Sequence, residues 1–269
     1  MNVRLVEQIA NAVLYEGYIL YPYRATSKKN QRGRFTFGRV YPQGYSDAQH
    51  GAEPCLMQTE CLLRPTAAIP ELGVTVRFLQ PLQPARDTGW QEATEREMKL
   101  HVTLPAETRK PFRFDPLEGL VEITSEGTSK VCVRIHNLTP VSTSDTAGGE
   151  SILPRTFTST HTILHLDGGE FISACEPEAK NCRNIGTWPV LVGDEARGER
   201  DTILSSPIIL SDYPQIAPQS AGDFFDGTEI DEMLTLRVQT MTDDEKREMR
   251  NVDAQEPATE CGTLLSKTI

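Results

Sequence analysis

The stretch Leu120–Leu138, LVEITSEGTSKVCVRIHNL, decides the fold class. Leu120–Ser125 and Lys130–Leu138 read as a pair of strands, joined by the turn Glu126-Gly127-Thr128-Ser129. In the second strand Val131, Val133 and Ile135 face one way and Cys132, Arg134 and His136 the other. That period of two is the mark of an antiparallel strand with one buried face.

The pattern repeats outward from this pair. On its N-terminal side, strands are predicted over Phe35–Tyr41, Met57–Leu63, Gly73–Leu79 and Met98–Leu104. Pro42–Pro54 and Gln80–Gly89 read as connections. On the C-terminal side, Val141–Ser151 is a small, polar loop and Thr156–Leu166 a long strand. Gly168-Gly169 reads as a tight turn folding Glu170–Ala174 back as a hairpin. Trp188 and Val190–Val192 are placed against the core, and Gly193–Arg200 in an exposed charged turn.

Helical periodicity is confined to the ends. Val3–Leu14 carries an apolar stripe and is predicted as a helix. Near the C-terminus, Ser205–Arg237 opens with Ile208-Ile209-Leu210, suited to a buried strand, then passes Pro214 and Pro218. An acidic turn at Asp223, Asp226, Glu229, Asp231 and Glu232 leads into a helix with Thr228 as its cap. A second capping box at Thr242 starts a helix to about Val252. The expectation is an α+β chain with a mainly antiparallel β-rich core, sandwich or barrel-like, an N-terminal helix and a C-terminal helical segment. It is read as one domain over 1–252, followed by a flexible tail over 253–269.

The chain has 269 residues, 38% of them hydrophobic and 24% charged, and a net charge of −11. That balance speaks against non-specific binding to nucleic acid or anionic membrane, both of which need a positive field. No apolar run approaches the roughly 20 residues of a spanning helix, and the N-terminus lacks a signal-peptide pattern. No membrane insertion and a cytoplasmic location are expected. No cofactor-binding motif is present: there is no phosphate loop, dinucleotide fingerprint, H-E-x-x-H or nucleophile elbow.

Three groups of residues qualify as candidate sites. Arg24–Arg34 holds Arg24, Lys28, Lys29, Arg32 and Arg34 and no acid, in a chain that is otherwise acidic. With Tyr21 and Tyr23 beside it, this loop reads as a partner-binding surface, or more plainly as a solvated loop. Asp223, Asp226 and Glu229 offer either a second contact surface or simply acids that favour a helix N-terminus. Cys55, Cys61, Cys175 and Cys182 are the candidate thiolates for a zinc or iron–sulfur site, against the plainer reading of small core residues. His161 and His165 share a strand face but stand more than about 13 Å apart along it, too far for one metal ion.

Several stretches together resemble a family of poorly characterised bacterial proteins associated with the gene neighbourhoods of uptake-type nickel–iron hydrogenases. The carrying residues are AVLYEGYILYPYR at 12–24, MQTECL at 57–62, FTSTHTILHLDGGEFIS at 157–173, CRNIGTWPVLVG at 182–193 and SPIILSDYPQIAPQSAGDFFDGTEIDEMLTLR at 206–237. The resemblance extends to about residue 253 and departs from the family in the tail that bears Cys261. It implies a non-enzymatic accessory role in assembly, maturation or complex formation, with hydrogenase subunits or maturation factors as partners. No catalytic residue is carried over. The alternative is a metal- or iron–sulfur-binding protein with redox or hydrolytic activity.

Overall fold

A computed structural model of the chain describes residues 3–15, 37–82, 93–142 and 149–215. Nearly all of these belong to one compact unit, Met1–Leu14 with Phe35–Pro214. Tyr15–Arg34 and Gln215–Ile269 fall to a second unit, almost wholly outside the described residues. The C-terminal helical segment, the expected boundary at 252 and the 253–269 tail therefore lie outside them too.

The helix α1 runs over Val3–Tyr15, where the apolar stripe predicted it. A short helix α2, Gln43–Ala48, interrupts the expected loop 42–54. Ten strands follow: β1 Leu56–Pro65, β2 Glu71–Pro81, β3 Ala93–Thr103, β4 Glu107–Phe114, β5 Leu117–Glu126, β6 Lys130–Asn137, β7 Thr158–Asp167, β8 Gly169–Phe171, β9 Trp188–Leu191 and β10 Thr202–Ser206. They form two five-stranded sheets, in the orders β4-β5-β6-β1-β8 and β3-β2-β7-β10-β9. Every pairing is antiparallel. The sheets remain separate and do not close into a barrel, so the sandwich is the form taken of the two expected.

One apolar core is shared by both sheets because the inward residues alternate along each strand. Met57, Cys61 and Leu63 of β1 and Val131, Val133 and Ile135 of β6 bury against Leu72, Val74, Val76 and Phe78 of β2 and Leu164 and Leu166 of β7. A polar pair also crosses the core: the hydroxyls of Thr59 and Ser205 lie 2.7 Å apart, and Thr187 reaches Ser205 at 2.6 Å. At one end Phe78 stacks on Phe157, centroids 4.4 Å apart, with Phe112 and Phe114 of β4 around them. On the outer side of the second sheet, α1 buries Val6, Ile9, Ala10 and Val13 over Val190, Val192 and Leu204. Ser159 fastens its last turn by donating to the Val13 carbonyl at 3.0 Å.

Four sequence expectations are corrected. Within 37–41, only Val40 pairs, as an isolated bridge to Phe157, so the strand expected at Phe35–Tyr41 is absent from its described part. Gly168 does turn the chain, with φ +79°, but β8 pairs with β1 in the other sheet and makes no hairpin with β7. The strand near 208 lies earlier, at β10. Ile208 and Leu210 only lean on the α1 cluster, and Ile209 is 79% exposed. Finally, β4 was not foreseen.

The β4–β5 contact carries a prediction. Phe112 stands opposite Gly119 in register, and its ring lies so close that a Cβ on Gly119 would come within 2.3 Å of it. Gly119→Ala should therefore force the ring off its site and cost about 1–3 kcal/mol, as overpacking does. Urea unfolding measures it, and an unchanged midpoint refutes it.

Candidate functional site

The outward residues of β1, β4, β5 and β6 come into direct register across four strands. One row runs Arg109–Glu122–Arg134–Gln58, and the next Glu107–Thr124–Cys132–Glu60. Acid and base alternate along the first of these rows, from Arg109 through Glu122 to Arg134, and opposite charges side by side on a sheet face attract. Arg109 bonds Glu122 at 3.0 Å, and the other oxygen of Glu122 meets His136 Nε2 at 3.0 Å. Arg134 Nε donates to Gln58 Oε1 at 2.7 Å.

At the β1 side the segment Cys182–Ile185 lies along the strand. Ile185 bridges Gln58 backbone to backbone, and the Gln58 amide donates to the Arg183 carbonyl at 2.8 Å. Glu60 binds this segment from both its backbone and its side chain. Its N–H donates to Asn184 Oδ1 at 2.8 Å, while its carboxylate accepts from the Arg183 N–H at 2.8 Å and from Lys130 at 3.1 Å. Burial pushes the Glu60 carboxyl up, but the Arg183 and Lys130 donors outweigh it and hold the group below its ordinary value. Lys130 is raised in turn, chiefly by its hydrogen bond to Glu60. The result is a face whose charges at Glu60, Glu122, Lys130 and Arg134 are half-buried and tied to neighbouring groups, with Arg109 at its exposed rim.

The proposed thiolate set is not brought together. Cys61 is buried in the core, Cys175 exposed, and Cys55 and Cys182 partly covered; all are free thiols. Cys132 and Cys182 bear electrostatically on Cys61, but Cys61 faces the core and Cys132 the outer side of the sheet. Burial raises all three, which keeps them protonated. Among the described residues no group of three or more His, Cys, Asp or Glu is arranged to hold a metal ion. His161 and His165 do share a face of β7, as their spacing required.

Tyr21, Tyr23, Arg24, Lys28, Lys29 and Arg32 lie outside the described residues, as do Asp223, Asp226 and Glu229. Of the observed face, the sequence placed Cys132, Arg134 and His136 together. It did not supply Arg109, whose strand is disguised by Pro111 and its charges, nor the pairing of Glu60 with residues 183 and 184. No helix among the described residues is long and apolar enough to cross a membrane. No protein-family model and no curated protein matches the chain.

Proposed function

We propose that the chain is a partner-binding accessory protein of a nickel–iron hydrogenase system, acting by protein–protein contacts in assembly, maturation or as a complex subunit. The family resemblance points to the system. The observation that supports binding is the charged outer face of β4-β5-β6-β1, where Glu122, Arg134, Glu60 and Lys130 are tied to neighbouring groups before any partner arrives and Arg109 stands exposed at the rim. A face ordered in advance loses little side-chain entropy on docking, and alternating charge fixes register and rejects wrong partners. The basic loop with Tyr21, Tyr23, Arg24, Lys28, Lys29 and Arg32, and the acids Asp223, Asp226 and Glu229, are the further contact surfaces in this reading.

The test is an anaerobic affinity pull-down from the native host with co-purifying proteins identified by mass spectrometry. Hydrogenase subunits or maturation factors are expected. Charge reversal at Arg109, or at Lys28, Lys29 and Arg32 together, should then weaken the complex by about tenfold or more, the scale of close interfacial charge pairs. Failure of the wild-type chain to recover either class of protein removes the hydrogenase assignment. Recovery that neither set of reversals weakens removes these surfaces from it. The alternative, a metal- or iron–sulfur-binding protein, finds no ligand group among the described residues; metal analysis of the same anaerobic sample tests it directly.

A further inference from the structure

Among the described residues the two five-stranded sheets present four edge strands, and three of them are guarded. At β9, the Leu191 N–H is taken by Asp212 at 2.8 Å and its carbonyl by the Tyr213 N–H at 2.7 Å. At β8, the Phe171 N–H donates to the Arg200 carbonyl at 2.8 Å. The edge strand β4 carries Pro111, which offers no N–H to an incoming strand. The fourth, β3, is different. It runs for 11 residues without proline, and among the described residues it pairs only with β2.

Its two faces differ in kind. Glu95, Glu97, Lys99 and His101 stand outward and exposed. Met98, Leu100 and Val102 point inward and pack on the core, but remain only partly buried. Apolar side chains left half-covered along a long edge that no described strand covers are the condition for strand addition. The charged row carries information about which strand would be added. It has acids in its first half and bases in its second, so an antiparallel copy of itself is complementary.

We propose that two copies of the chain pair antiparallel through β3, about a twofold axis at Met98, joining their β3-β2-β7-β10-β9 sheets into one. In that register Glu97 lies opposite Lys99 of the second copy and Glu95 opposite His101, while Met98 meets Met98 on the inner side. The neighbouring registers are poorer in charge: each keeps one symmetric pair of opposite contacts but adds a like-charge contact at its axis. An axis at Glu97 sets that carboxylate against its own copy, and an axis at Lys99 does the same with the ammonium groups. Within one copy Lys99 already bonds Glu97 at 2.8 Å, and Arg77 lies 3.4 Å from Glu95 and 3.6 Å from Glu97, which holds the row upright for a facing strand. Such an interface is isologous and closes at two copies.

Sedimentation equilibrium of the full chain over a concentration series tests this, with the variants E97K, K99E and the double exchange E97K/K99E. The wild type should dimerise. Each single variant sets like charges opposite one another at two symmetric positions and should weaken the dimer about tenfold. The double exchange restores opposite pairs and should recover most of the affinity. Hydrogen exchange on the wild type provides a readout free of mutation: β3 amides should slow as concentration rises. A monomer at every concentration, a dimer indifferent to the single variants, or a double exchange no stronger than the singles each overturns the proposal.

Discussion

Alanine in place of Phe78 is expected to lower the unfolding free energy by about 3–5 kcal/mol, the range for deleting a fully buried aromatic side chain. Phe78 is wholly inaccessible to solvent. It belongs to β2 of one sheet, yet its ring contacts Phe112 and Phe114 of β4 in the other, and stacks on Phe157. Phe112 already packs on both Phe114 and Phe157, with centroids 5.8 and 5.7 Å apart, so these rings are engaged with one another and not free to fill the gap. The cavity term therefore stays near its full value. Ile209→Ala is the internal control: at 79% exposure it should change stability by no more than about 0.5 kcal/mol. Equal effects from the two substitutions, read by urea unfolding, would mean that the aromatic cluster does not join the sheets.

Where that cluster sits also explains what the sequence did and did not disclose. Strands with an unbroken period of two, such as Val74-Val76-Phe78 and Val131-Val133-Ile135, were legible because one face is buried against the shared core. The fourth strand was not, although Thr108, Phe112 and Phe114 do alternate along it. Glu107, Arg109, Lys110, Pro111 and Arg113 hide that alternation, as an exposed edge strand tolerates both charge and proline. The hairpin expected after Gly168 failed for another reason. A glycine turn reports that the chain reverses locally; it does not say which strand receives the next residues, and here β1, about a hundred residues earlier, receives them.

Register limited the reading of the site in the same way. A list of charged residues on alternate positions cannot say that Arg109 meets Glu122, or that Glu60 meets Lys130, because a slip of one residue reverses every face. The thiols show this most directly. Cys55 and Cys61, close in sequence, end in different surroundings, while the β1–β6 ladder sets Cys61 opposite Val131 on the core side and Cys132 opposite Glu60 on the outer side. What could be judged in advance depends on one strand alone: the spacing of His161 and His165 on β7, and the shared face of Cys132, Arg134 and His136 on β6.

His161 leads to the second large expectation, a loss of stability between pH 6.5 and 4 that one substitution abolishes. Its ring is fully buried. Nδ1 meets the Ser159 carbonyl at 3.0 Å, so this nitrogen carries the proton and donates, and Nε2 has no hydrogen-bond partner among the described residues. Ser159 is held at φ +49°, in the left-handed region that L-residues rarely adopt, and the β2–β7 register shifts between Arg77 and Leu79 nearby. Arg77 stands opposite His161 in the ladder. Burial first, and the Arg77 charge in addition, disfavour the imidazolium against the help of Ser159, and lower the pKa from 6.5 to about 4. Between those two values the unfolded chain binds a proton that the folded chain refuses. Stability is therefore complete above 6.5, falls as the pH drops toward 4, and loses nothing further from this group below that. The difference corresponds to about 3 kcal/mol at the lower end. His161→Gln keeps a polar side chain and cannot titrate. The gap between wild type and variant should therefore narrow or invert by that amount as the pH is lowered, while shared contributions from Glu60 and Glu176, both depressed below the ordinary carboxylate value, cancel in the comparison. Parallel stability curves for the two chains from pH 7 to 4 would show that water or a protein group reaches Nε2, and that the buried imidazole ionises as freely as in the unfolded chain.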